Sequence, residues 1–104
     1  MSVPYKIEFD QIQWESPIPG VRHKCIEHHG QRIRLVEYSR EMPSHWCEKG
    51  HLGMLLSGKM AIDYGDGEII YQAGDGILIP DGPSHKHKGR VLSERATVFF
   101  VEKA

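Results

Sequence analysis

Cysteine is scarce in this chain. Two thiols, Cys25 and Cys47, in 104 residues cannot build the disulfide framework with which small secreted domains compensate for a small core. The opening MSVPYKIEFD lacks the basic and apolar regions of a secretory leader, and no run approaches the roughly 18 apolar residues of a membrane span. A cytoplasmic location is therefore the expectation, with no membrane contact. Excess charge of one sign is also missing. Thirteen Lys and Arg against 14 Asp and Glu give no overall attraction to nucleic acid or an anionic surface. The one basic run, Lys86, Lys88 and Arg90, has no interleaved aromatics on which bases could stack. The length excludes a (β/α)₈ barrel or a Rossmann half with a second domain. Helical periodicity is absent as well: the best stretch, Glu41 to Leu56, is broken by Pro43 and two glycines.

What the chain does have is turn formers and short alternating segments. Eleven Gly and six Pro accompany 39% apolar residues, enough apolar content to argue against disorder. Arg32 to Tyr38 reads as a strand with Ile33, Leu35 and Glu37 on one face and Arg34, Val36 and Tyr38 on the other, which suggests a partly polar interior. Strands are also expected at His51 to Leu56, Lys59 to Tyr64, Glu68 to Tyr71, Ile77 to Ile79, Val91 to Leu92 and Thr97 to Val101. Gly65-Asp66-Gly67 and Gly74-Asp75-Gly76 turn the chain between them. This is the pattern of an all-β barrel or sandwich. Residues 1–30 are less regular, and Ser16-Pro17-Ile18-Pro19-Gly20 reads as a turn. An N-terminal arm over 1–30, giving edge or dimer contacts, is expected before a barrel over 31–104.

Seven histidines are the unusual number. His45, Cys47 and His51 cluster, and His85 follows beyond the Pro80 to Pro83 turn. On an extended chain, residues two apart share a face, so His45 and Cys47 can enter one site while Trp46 turns away. Imidazole and thiolate are donors for zinc, copper, nickel and iron. His87 repeats the period of two as a further polar group. The bland alternatives are surface histidines and a buried, inert Cys47 thiol. His23, His28 and His29 read as solvent-exposed or dimer-contact residues.

Gly74, Pro80, Gly82 and His85 stand at the spacing Gly-x₅-Pro-x-Gly-x₂-His, and in this the chain resembles the small single-domain cupins. Counting back from Gly58, His51, Cys47 and His45 stand where that family's first motif has its glutamate and two histidines. Ser39 replaces the opening glycine of that motif, and Gly89 replaces an asparagine common after the last histidine. The resemblance implies a double-stranded β-helix, or jelly-roll barrel, holding one divalent transition metal at His45, Cys47, His51 and His85. Exchanging carboxylate for imidazole and imidazole for thiolate shifts the preference from manganese toward zinc, iron, nickel or copper.

The functional expectation is a metal-binding cupin that acts on or binds a small polar or anionic molecule. Dioxygenase and isomerase chemistry are the classes it best fits, and a non-catalytic module for ligand or metal sensing is the alternative. Arg34, Tyr38, Met54, Tyr64 and His87 are the further pocket candidates, with Arg34 suited to an anionic group because its fork matches a carboxylate. Small cupins pair as dimers, and the Thr97 to Val101 strand, if at an edge, would present an apolar pairing surface. A homodimer is expected.

Overall fold

The computed structural model describes residues 5–104. After a single 3₁₀ turn at Phe9–Gln11 come nine strands: β1 (Glu15–Ile18), β2 (Val21–His28), β3 (Gln31–Ser39), β4 (His51–Ser57), β5 (Lys59–Asp63), β6 (Glu68–Gln72), β7 (Gly76–Ile79), β8 (Lys88–Val91) and β9 (Arg95–Lys103). They form two antiparallel sheets, one in the order β1-β2-β3-β9-β4-β7 and the other β6-β5-β8. No helix among the described residues is long and apolar enough to cross a membrane.

Alternation places the core between the sheets. In β9 the even positions Ala96, Val98, Phe100 and Glu102 are buried and the odd ones are more exposed, as a strand with one inward face requires. Val36 and Leu55 join Val98 from the larger sheet, and Met60, Ile62 and Val91 meet them from the smaller. The inner face of β3 is the mixed one: Val36 is fully buried, while Arg34 and Tyr38 on the same face are only partly so. That polar share of the interior makes room for a site.

Two expectations are corrected here. The segment from Ser16 to Ile18 is strand rather than turn, and β2 pairs along its whole length with β3. Residues 15–28 thus extend the larger sheet, and position 30 falls in the hairpin turn that joins β2 to β3. His29 (φ 51) and Gly30 (φ 76) make that two-residue turn, the backbone a tight hairpin favours. Secondly, β9 is no edge strand. It lies between β3 and β4, and the edges of that sheet are β1 and β7.

The outer face of the larger sheet is apolar where β9, β4 and β7 adjoin. Val101, Leu52 and Leu78 stand in one cross-strand row, and Phe99 and Met54 in the next. Leu52 is 51% exposed and Leu78 78%. Toward β2 this face is covered by the N-terminal segment: Phe9 packs edge-on against Phe99, and Lys24 donates to the Phe9 carbonyl at 2.8 Å.

Candidate metal centre

Two loops and one strand end build the site. Cys47 and His87 face each other through an isolated antiparallel bridge, in which the Cys47 N–H donates to His87 O at 2.8 Å and the His87 N–H to Cys47 O at 2.9 Å. Two further ties hold the same loops: the Gly82 N–H donates to Glu48 O at 2.9 Å, and the Gly50 N–H to Asp81 Oδ1 at 2.6 Å. Gly50 is required at its place, since a methyl group there would collide with the Ile79 carbonyl. That close approach lets the chain bend so that His51, opening β4, enters beside Cys47.

The donor atoms of Cys47, His51 and His87 lie within 4.8 Å of one another. His87 is nearly fully buried, and its Nδ1 lies 3.0 Å from the His85 carbonyl. A carbonyl can only accept, so Nδ1 carries the proton and Nε2 keeps its lone pair. That Nε2 is buried and finds no partner among the described residues. Burial, with His51 and His45 nearby, lowers the His87 pKa against the raising effect of the His85 carbonyl, so the ring is neutral at pH 7. A neutral imidazole whose second nitrogen is fixed by a carbonyl is the state in which histidine binds metal. The Cys47 thiol is held only by a long contact of 3.8 Å to Lys49 O. The donor set suits a borderline-soft divalent ion, so these residues fit the metal that the fold implies.

Behind the donors lies a buried acid. Glu102 accepts from Arg34 Nε at 2.7 Å, while Arg32 Nη2 and His51 Nδ1 each stand 3.7 Å from its other oxygen. Burial raises the Glu102 pKa, but His51 and Arg34 outweigh it and hold the carboxyl at about 2. Phe100 packs against the His51 ring with centroids 4.7 Å apart, and the Arg34 guanidinium lies 5.7 Å from the Phe100 ring centroid. The rings and charges therefore brace His51 from behind.

A cavity of about 340 Å³ opens on the donors, and its lining includes Arg32, Arg34, Tyr38, Cys47, His51, His87, Phe100 and Glu102. Burial pushes the Tyr38 hydroxyl up to about 12, which keeps it a neutral proton donor. Of the expected ligands, the structure brings Cys47 and His51 together and joins His87 to them. His45 is exposed at the cavity wall. His85 is exposed in the 3₁₀ turn Pro83–His85 and contributes only its carbonyl. The reason is register: the bridge sets residue 87, not 85, opposite Cys47. The signal was the period of two that His85 and His87 share.

Among the expected pocket residues, Arg34, Tyr38 and His87 line the cavity. Met54 does not, because it has the opposite parity to Leu55 and is 44% exposed on the outer face. Tyr64 stands behind His87 with ring centroids 6.2 Å apart and shares a 2.6 Å hydrogen bond with the Tyr71 hydroxyl. Arg32, Lys49 and Glu102 are lining residues that the sequence reading passed over. For Arg32 and Glu102 the signal lay in the alternation of β3 and β9.

No protein-family model matches the sequence, and no curated protein matches it. Solved structures do match in shape. A cupin-2 domain protein from Shewanella frigidimarina is 23% identical, with 79% of each chain covered and a TM-score of 0.64. A sugar phosphate isomerase of the cupin superfamily from Silicibacter pomeroyi is 18% identical over 95% of this chain and 75% of its own, with a TM-score of 0.74. The iron(II) form of HppE is 12% identical over 91% of this chain and 57% of its own, with a TM-score of 0.72. With these likenesses, the two antiparallel sheets and the site between them, the chain has the cupin fold.

Proposed function

We propose that Cys47, His51 and His87 hold one divalent transition metal, zinc, iron, nickel or copper, and that the cavity beside it takes a small polar molecule as substrate. The observation that carries this reading is the unspent Nε2 lone pair of a buried, neutral His87 beside two other donors. Three protein donors leave a position for a non-protein ligand, the arrangement of catalytic rather than structural sites. Bound there, a metal supplies Lewis-acid polarisation of a substrate oxygen, or redox chemistry if it is iron or copper, as an isomerase or a dioxygenase needs.

The chain's own residues supply the rest. Ile62, Ile77, Val98 and Phe100 give the cavity apolar walls that exclude water, which strengthens polar interactions inside it. Tyr38, its hydroxyl kept protonated by burial, offers a hydrogen bond to a substrate oxygen. Glu102, fixed by Arg34, places a negative charge 3.7 Å from His51 Nδ1. The likeness in fold to a sugar phosphate isomerase of the cupin superfamily and to the iron(II) form of HppE supports a metal-dependent reading.

Elemental analysis of protein purified without chelator tests the proposal, with about one metal per chain as the expected result. Replacing Cys47 by Ser or His87 by Ala should weaken metal binding about tenfold to 100-fold or more, and His85→Ala should leave it unchanged. Failure of added zinc, iron, nickel and copper to bind would end this reading. If His45→Ala weakens binding as much as His87→Ala, a four-donor site fits a non-catalytic sensing module instead, since His45 lines the same cavity.

A further inference from the structure

The cavity wall carries a charge imbalance that the metal reading does not use. Arg32, Arg34 and Lys49 line it, with Glu102 the one carboxylate among its lining residues. These cations are unequally committed. Arg34 donates from Nε to Glu102 at 2.7 Å and has Nη1 at 3.4 Å from His23 Nδ1, so its guanidinium is spent on holding neighbouring side chains.

Arg32 is differently placed. Its Nη1 reaches Glu27 only at 3.5 Å, and its Nη2 stops 3.7 Å from Glu102. Its buried Nε has no acceptor among the described residues. A buried guanidinium N–H costs free energy unless an acceptor is supplied. The planar fork of arginine matches two oxygens of a carboxylate or phosphate. The register of β3 and β9 puts Arg32 directly opposite Glu102, whose second oxygen has His51 at 3.7 Å on its other side. The Arg32 guanidinium, its terminal nitrogens paired only at 3.5 and 3.7 Å, is thus one carboxylate away from the donor cluster.

We propose that Arg32 anchors the acidic group, carboxylate or phosphate, of a small anionic molecule whose other oxygen-bearing end lies at the Cys47, His51 and His87 cluster. Lys49, exposed at the cavity wall, adds attraction as the anion enters. This assignment rests on that cluster being the reactive centre, and it shifts the anion-binding role from Arg34 to Arg32.

Calorimetric titration tests it with three probes: glycolate for a carboxylate, glycerol 3-phosphate for a phosphate, and neutral glycerol. Wild type, Arg32→Gln and Arg32→Lys are each titrated in zinc-loaded and metal-free form. The expected result is that wild type binds at least one anion tenfold or more tighter than glycerol, that Arg32→Gln removes this preference, and that Arg32→Lys restores part of it. The tighter of the two anions identifies the acidic group. Unchanged anion affinity in Arg32→Gln, or glycerol binding as tightly as both anions, overturns the anchor. A parallel zinc titration shows that Arg32→Gln is folded and judges the metal reading separately. If zinc does not bind wild type but metal-free protein still shows Arg32-dependent anion binding, the metal reading fails and the anchor stands.

Discussion

At the scale of single residues, Glu102 is the most consequential group outside the donor set. Its neighbours are Arg32 and Arg34 from β3 and His51 from β4. Its pKa falls from an ordinary 4.5 to about 2, so in the folded protein it stays ionised where the unfolded chain takes up a proton. A depressed carboxyl pKa contributes stability that is complete above the unfolded value and is lost as pH falls from 4.5 toward 2. Metal-free protein should therefore lose denaturant stability over that window, and Glu102→Gln should flatten the loss while lowering stability at neutral pH, where Arg34 loses its charged partner. Urea unfolding at stepped pH, with chelator present, measures both. An acid limb of equal steepness in the two proteins would show that Glu102 is not its source. The histidines separate at this scale as well. His85 and His87 share parity in an extended chain, and the bridge to Cys47, the burial of one ring and its contact with the His85 carbonyl tell them apart.

At the scale of elements, the bend at Lys49 and Gly50 is the critical piece. Any side chain at residue 50 meets the Ile79 carbonyl, so Gly50→Ala should cost about 1 to 3 kcal/mol through overpacking. It should also weaken metal binding, because His51 follows directly. Thermal unfolding and a zinc titration of that variant check the two effects together, and a drop in stability with intact zinc affinity would mean that the bend does not position His51. The strands differ in how readable they were. β5 and β9 place large apolar residues two apart on the inner face, Met60 and Ile62 in one and Val98 and Phe100 in the other, which is what period-two reading detects. β2 escaped because Arg22, His23, Lys24, Glu27 and His28 leave it few apolar positions. Its partners are ionic and local: Arg22 lies directly opposite Glu37 and clasps it at 2.9 and 3.1 Å. The His29-Gly30 turn lacks the Asn-Gly or Asp-Gly pair that announces such a hairpin. The cupin motif spacing located both loops of the site. It missed the loop geometry, because an isolated bridge between residues far apart in the chain leaves no periodic trace.

At the scale of the whole molecule, the outer face of β9, β4 and β7, which the described residues cover only beside Phe99, calls for an account. Its centre, Leu52, Met54, Leu78, Phe99 and Val101, holds no charge, so a second copy related by a two-fold axis can pack on it without like-charge contact. Leu78, at 78% exposed, is the natural centre of such a contact. Mass measurement in solution should therefore give a dimer for wild type and a shift to monomer for Leu78→Glu, with unchanged zinc affinity. A wild-type monomer at every concentration removes the dimer. A dimer formed this way would pair through a sheet face, whereas the sequence reading sought the contact along the edge of the last strand.

The bridge between Cys47 and His87 also has a consequence in time. Its two residues belong to loops on opposite sides of the β4 to β7 segment, and contacts so distant along the chain are slow to form because loop-closure entropy must be lost first. Of the three donors, only Cys47 and His51 are close together in an unfolded chain. The complete donor set exists once both loops have met, so under the proposed metal reading full-affinity uptake would come late in folding. During refolding, zinc capture should lag behind the return of the β-sheet circular dichroism signal, and a metal held by three donors then slows the chain's unfolding.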